Sequence, residues 1–268
     1  MDQYTVTNQR NWDGRVAPHV VSESYNLAGF RKTRCSLMPL ELQELGNVQG
    51  KTLLHLQCHF GMDTLSWAER GAQVTGVDLS GKAIRQARQL ATELAIEATF
   101  IQSDVYAVPE HLDIKFDIVY TSYGVLCWLG DLSQWAQIVA DALKPGGLFY
   151  IVESHPAGLI FSVGQENELR IDDSYFNVGP QKCESGQSYI ETHEQLQATT
   201  TYQWSHSLGE IVTSIIDAGL QIQFLHEFPF AAYQQLPTME MDEEGWWRLP
   251  SNEERIPFLF SLLARKPA

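Results

Sequence analysis

The sequence predicts an α/β protein, a mostly parallel sheet with helices on both faces. Three observations carry that expectation. From Lys51 to Glu153, short β-rich apolar runs alternate with helical segments at the interval of strand–helix–strand units. Inside the helical segments apolar residues recur at helical spacing. After an interruption at residues 156–204, the same rhythm resumes at Ser207.

The elements follow in order. Lys51-Thr-Leu-Leu-His-Leu is a first strand, with a turn at Gly61 and a short helix from Asp63 to Arg70 that Gly71 closes. Gln73 to Asp78 is a second strand. Ser80 caps the next helix, whose apolar positions are Ala83, Ile84, Ala87, Leu90, Ala91 and Leu94. Thr99-Phe-Ile-Gln and Phe116 to Thr121 are further strands. Asp131 to Leu143 reads as a helix stopped by Lys144-Pro-Gly-Gly147, and Leu148 to Val152 as a fifth strand. Residues 156–204 are polar, glycine-rich and aromatic, which predicts short antiparallel strands or long loops over the sheet. Ser207-Leu-Gly-Glu210 has capping-box spacing, with Ile211, Val212, Ile215 and Ile216 as the apolar face and Gly219 as the stop. Gln221 to Phe228 and Pro257 to Arg265 are the last strands. The chain reads as a single domain: 1–49 a helical lid segment, 50–155 and 205–268 the core, and 156–204 an inserted cover.

Composition narrows the function. Among 268 residues, 18 are Lys or Arg and 33 are Asp or Glu, a formal charge of −15. So acidic a body repels phosphate backbones and anionic lipid, which argues against nucleic-acid and membrane partners. No apolar run approaches the ~18 residues of a membrane span, and Met1 to Gly14 is too polar for a secretory signal. Cys35, Cys58, Cys127 and Cys183 are dispersed, without zinc spacing, and read as reduced thiols of a cytoplasmic protein with no metal site.

Ligands of such sheets bind beyond the carboxyl ends of the strands. The first strand-to-helix turn reads His55-Leu-Gln57-Cys-His59-Phe-Gly61. It lacks the G-x-G-x-x-G that admits a pyrophosphate. Asp78, ending the second strand, suits a ribose diol, and Asp104, just past the third, suits an exocyclic amine. Together they describe a nucleoside without a pyrophosphate.

With these residues in place, the sequence resembles the class I S-adenosylmethionine-dependent methyltransferases over about residues 50–155 and 207–266. The matching elements are Leu54 to Gly61 at the first motif, Gly71 to Ser80 with the ribose acid, and Ser103-Asp104 at the adenine site. Phe116 to Tyr120, Leu143-Lys-Pro-Gly-Gly147 and Phe260 to Lys266 complete the series. The resemblance implies a Rossmann-like seven-stranded sheet of order 3-2-1-4-5-7-6 with the last strand antiparallel. It also implies S-adenosyl-L-methionine as cofactor and contacts to it from Gln57, Gly61, Asp63, Asp78, Leu79, Ser80, Asp104, Val105 and Thr121. The family's first motif is D-x-G-x-G-x-G. Here His55 replaces the acid and Gln57 and His59 replace two glycines, a form that resembles a bacterial branch with H-L-Q-C-H-F-G.

The implied reaction is in-line displacement of the sulfonium methyl by N, O or S of a small-molecule acceptor. The cofactor supplies the reactive carbon and the protein aligns and desolvates, so no catalytic dyad is required. Candidate catalytic groups are Tyr123 past the fourth strand and the rim histidines His155 and His206, each of which has a structural alternative as a loop-bonding side chain. Trp12, Tyr25, Phe30, Trp128, Trp135, Trp204, Trp246 and Trp247 are aromatic anchors or core. The segment from Asn11 to Arg31 resembles a lid. Glu240 to Trp247 reads as a solvated acidic loop or, more sharply, as a wall that recognises an amine. A non-catalytic cofactor-binding protein, a peptide methyltransferase and a nicotinamide oxidoreductase are the competing classes.

Overall fold

The computed structural model describes residues 1–164, 168–190, 195–250 and 255–268. Parts of the expected cover (165–167 and 191–194) and residues 251–254 lie outside the described residues. Three helices come first: α1 (Gln3–Val21), α2 (Leu27–Thr33) and α3 (Pro39–Leu45). Asp2 starts α1 by accepting from the Thr5 N–H at 2.8 Å. Then follow β1 (Thr52–Leu56), α4 (Met62–Glu69), β2 (Gln73–Asp78), α5 (Gly81–Leu94), β3 (Thr99–Gln102), β4 (Phe116–Ser122), α6 (Leu132–Ala142) and β5 (Leu143–Ser154).

The expected insertion holds two small antiparallel pairs, β6 (Phe161–Val163) with β7 (Leu169–Ile171) and β8 (Gln181–Glu184) with β9 (Thr200–Gln203). The chain closes with α7 (Leu208–Asp217), β10 (Gln221–Phe228), the hairpin β11 (Glu240–Met241) and β12 (Trp247–Arg248), and β13 (Leu259–Arg265). The main sheet has the order β3-β2-β1-β4-β5-β13-β10, with β13 antiparallel to both its neighbours. That is the order the resemblance implies.

Helices cover both faces because both faces of the central strands are apolar. On one side Trp135 of α6 and Ile211 and Ile215 of α7 pack against Leu54, Val119 and Phe149. On the other, Leu45 of α3 and Trp67 of α4 meet Leu53, Ile118, Tyr120 and Tyr150. Ser80 caps α5 through a bond from the Ala83 N–H at 3.1 Å, as its position predicts. Ser207 caps α7 the same way toward Glu210.

Beyond one-residue shifts at element ends, the structure departs from expectation in the following places. Lys144-Pro-Gly-Gly147 does not separate α6 from β5; it bulges within β5, between the pairs Phe116–Leu143 and Ile118–Leu148. Lys144 Nζ reaches Asp117 Oδ2 at 2.9 Å, and the Gly146 N–H bonds the Lys266 carbonyl at 2.9 Å, so this segment has ladder partners of its own. Ile216, expected on the buried face of α7, is 54% exposed. The last strand starts at Leu259 rather than Pro257.

Candidate functional site

The chain order reverses at β1, since β2 and β3 lie on one side of it and β4 and β5 on the other. Ligands settle at such a crevice. Here the carboxyl ends of β1 to β4 surround a cavity of about 230 Å³. Thr5, Asn8 and Trp12 on one face of α1 roof it, and Tyr25, Trp128 and Tyr189 complete the wall. β9 holds α1 down: Asn8 Nδ2 donates to the Tyr202 carbonyl at 2.8 Å, and Asn8 Oδ1 accepts the Tyr202 N–H at 2.8 Å. Of the described residues in 156–204, Tyr189 alone reaches the wall.

The turn after β1 carries an unusual backbone. Gln57, His59 and Gly61 have φ of +58°, +49° and +82°. Left-handed backbone costs a side-chain-bearing residue about 1–2 kcal/mol, yet Gln57 and His59 hold it. The fold therefore keeps the conformation that glycines would give without having glycines there. Gly61 has no substitute, because a Cβ would sit 2.7 Å from the Phe100 ring. Asp78 stabilises the turn. Its Oδ2 accepts from the His59 N–H at 2.7 Å and its Oδ1 from the Ser80 N–H at 2.8 Å. Gln57 spans the floor, Nε2 donating to the Val125 carbonyl at 3.0 Å, while its Oε1 is buried without a partner.

Acids dominate the electrostatics. Burial pushes the Asp78 pKa up to about 6, against the pull of its two N–H donors. Asp104 also lines the cavity; its Oδ1 accepts from the Tyr106 N–H at 3.1 Å, and burial raises its pKa. Asp63, another wall residue, is raised by burial despite bonds from Ser36 (2.5 Å) and Ser122 (3.4 Å). Behind it Glu41 is fully buried. Burial first, and then the charge of Asp63, push its pKa up to about 8. Tyr123, a wall residue with φ +48°, donates to Glu41 Oε2 at 2.6 Å. The next turn, Gly124 to Leu126, hangs on Glu153. This carboxylate accepts the N–H groups of Gly124 (2.5 Å), Val125 (2.7 Å) and Leu126 (3.1 Å).

The histidines divide by position. His55 Nδ1 bonds Thr64 Oγ1 at 2.8 Å, and burial lowers its pKa to about 3. His59 Nε2 meets His19 Nδ1 at 2.9 Å, while His59 Nδ1 has no partner; burial holds its pKa well below the usual value. His155 and His206 are not in the cavity wall. His155 Nε2 pairs with Glu227 Oε1 at 2.8 Å and its Nδ1 accepts the Ala157 N–H. His206 Nε2 donates to the Leu129 carbonyl at 2.7 Å, and its Nδ1 lies 3.1 Å from Glu210 Oε1. Both follow the structural alternative.

The structure thus gathers Gln57, Gly61, Asp63, Asp78, Leu79, Asp104, Val105 and Tyr123 around one cavity. Ser80 and Thr121 stay outside it. Ser80 Oγ donates to Asp13 Oδ1 at 2.6 Å, and Thr121 Oγ1 to the Leu56 carbonyl at 3.1 Å. Glu240 to Trp247 contributes nothing to the wall, which corrects the amine-recognising reading. It folds as the β11–β12 hairpin, where Asp242 pairs with Arg248 and Trp246 packs on Phe230 at 4.5 Å. Sequence reasoning missed Glu41, Glu153 and Tyr189, because distant contacts make them matter. The spacing of Thr5, Asn8 and Trp12 on one helical face was a usable signal for the roof.

Comparison with known proteins agrees with this geometry. A methyltransferase domain family matches residues 53–147. A ubiquinone biosynthesis O-methyltransferase of Alkalilimnicola ehrlichii is 31% identical over 180 residues, 63% of this chain and 72% of its own length. Its counterpart in Serratia proteamaculans is 31% identical over 159 residues, 57% of this chain and 66% of its own. The chain thus spans about two thirds of the length of these curated relatives. The solved structure of an S-adenosylmethionine-dependent methyltransferase from Mesorhizobium loti shares the fold, with a TM-score of 0.60 and 23% identity over 85% of this chain and 96% of that one.

Proposed function

The chain belongs to the class I S-adenosylmethionine-dependent methyltransferases, and from that premise we propose that it methylates an N, O or S atom of a small molecule by in-line displacement. The observation that carries this reading is the cavity at the strand ends, roofed by Thr5, Asn8 and Trp12 and lined by Asp78 and Asp104; a roofed cavity favours a compact acceptor over a peptide. Bound S-adenosylmethionine supplies the electrophilic methyl group.

The chain's residues fit that cofactor. Asp78 keeps a free lone pair on each oxygen for the two ribose hydroxyls. Asp104 lines the cavity, where its carboxylate suits an amine of the base. Gln57 Nε2 gives one of its two N–H groups to the Val125 carbonyl, and its buried Oε1 has no protein partner; an acceptor oxygen left over suits the methionyl ammonium. Asp63 favours a ligand with positive charge, while Glu41 behind it, with its pKa at about 8, is neutral at pH 7. Tyr123 and the Glu153-anchored turn shape the place where the acceptor meets the methyl. Their work is alignment and exclusion of water, which lowers a bimolecular barrier without proton transfer.

A calorimetric titration of the full chain tests the reading. S-adenosylhomocysteine should bind at one site and raise the melting temperature, and NAD should do neither. No binding at millimolar S-adenosylhomocysteine would overturn it.

A further inference from the structure

Arg15 is 7% exposed in a chain of formal charge −15. Its Nε donates to Asn11 Oδ1 at 2.6 Å, and among the described residues no carboxylate pairs with it. Its neighbours are rings: the guanidinium carbon lies 5.0 Å from the centroid of Trp12, 5.8 Å from Trp128 and 5.9 Å from Tyr189. His19 and His59 bring no negative charge; burial, with the charge of Arg15 contributing, keeps both neutral. Cation–π contact offsets only part of what desolvating a guanidinium costs. A buried cation normally has an anion, and this one has none among the described residues.

The placement says where the anion comes from. Arg15 continues the helical face of Thr5, Asn8 and Trp12, and all three rings around it are cavity-wall residues. Arg15 is not itself a wall residue; its guanidinium lies directly behind these rings, so an anion reaches it between them. The described wall holds the carboxylates of Asp63, Asp78 and Asp104 and no Lys or Arg. An anion entering the cavity is therefore repelled from the proposed nucleoside residues and drawn toward Arg15. Trp128 follows β4 and Tyr189 belongs to the 156–204 segment, the regions expected to enclose the acceptor.

We propose that Arg15 determines acceptor specificity: its guanidinium fork pairs with a carboxylate or similar anionic group on the methyl acceptor, while Trp12, Trp128 and Tyr189 pack the acceptor's apolar body. The proposal rests on the methyltransferase reading of the cavity.

The test uses the full chain saturated with S-adenosylhomocysteine and two probes of equal shape, phenylacetate and phenylacetamide, followed by ligand-observed NMR. The wild type should hold phenylacetate at least tenfold more tightly. Arg15→Gln should erase the preference, with S-adenosylhomocysteine affinity within twofold of wild type. Equal binding of both probes by the wild type would overturn the proposal whether or not the variant folds, as would a preference that survives Arg15→Gln. If Arg15→Gln loses S-adenosylhomocysteine but keeps methylthioadenosine, which lacks the amino-acid end, Arg15 serves the methionyl carboxylate and the proposal is wrong. Failure of S-adenosylhomocysteine to bind the wild type would instead sink the cofactor reading; the probe preference measured without it still reports on Arg15.

Discussion

Replacing Glu41 by Gln tests the buried acid beneath the cavity. Burial, reinforced by Asp63, raises the Glu41 pKa from 4.5 to about 8. The unfolded chain releases this proton near the lower value and the folded chain near the higher. Between them the folded state binds the extra proton, so stability from this group is fully present below pH 4.5 and is lost as the pH rises toward 8. One pKa unit is worth about 1.4 kcal/mol. At pH 7, about 2.5 units above the unfolded value, the loss is about 3 kcal/mol.

The amide has the carboxyl's shape, cannot ionise, and can still accept from Tyr123. Urea unfolding of both proteins should therefore give stabilities within about 1 kcal/mol of each other at pH 5, where linkage has cost the wild type less than that. At pH 7 the variant should be the more stable by about 3 kcal/mol, and the gap should widen to pH 8. The global effect of the acidic surface cancels, because both proteins share it. Asp63→Asn in the same background should shrink the gap, since the Asp63 charge is part of what holds the proton on Glu41. A difference that stays flat from pH 5 to 9 would show that Glu41 is already ionised when folded, and the account of this cluster would fail.

Three further outcomes are expected. Asp78→Ala should weaken S-adenosylhomocysteine at least tenfold, from the loss of two charge-assisted bonds, in a calorimetric titration; unchanged affinity would remove Asp78 from the ribose site. Gln57→Ala should weaken S-adenosylhomocysteine about fivefold, one hydrogen bond's worth, and leave adenosine nearly unchanged. Equal losses for both ligands would mean that the turn had collapsed. Glu153→Ala strands the N–H groups of Gly124, Val125 and Leu126, so urea unfolding should show a destabilisation of at least about 3 kcal/mol; a smaller loss would mean that this turn stands without its anchor.

How much was legible in the sequence depends on whether the cause was local. Strands buried on both faces must be apolar throughout, so β1, β4 and β5 announced themselves as runs such as Leu53-Leu54-His55-Leu56. Caps were legible at Ser80 and Ser207, because a cap acts within three residues. The Lys144–Gly147 bulge was not, because Pro and Gly signal a stop and the partners that keep the segment in the sheet, Asp117 and Lys266, are remote in sequence. The turn after β1 was legible in part. Glycines mark left-handed backbone because they adopt it freely, so the absence of two of them read as a departure from the family's motif. What the fold requires there is a sign of φ, and Gln57 and His59 supply it under strain. The strain persists because other contacts fix the turn: the N–H of His59 is held by Asp78, and the side chain of Gln57 by Val125. Glycine would remove the strain at either position but would leave His19 Nδ1 or the Val125 carbonyl without its partner. A loss of about 1–3 kcal/mol for an unsatisfied buried group matches or exceeds the 1–2 kcal/mol of backbone relief, which is why these side chains are compatible with the fold at positions that seem made for glycine.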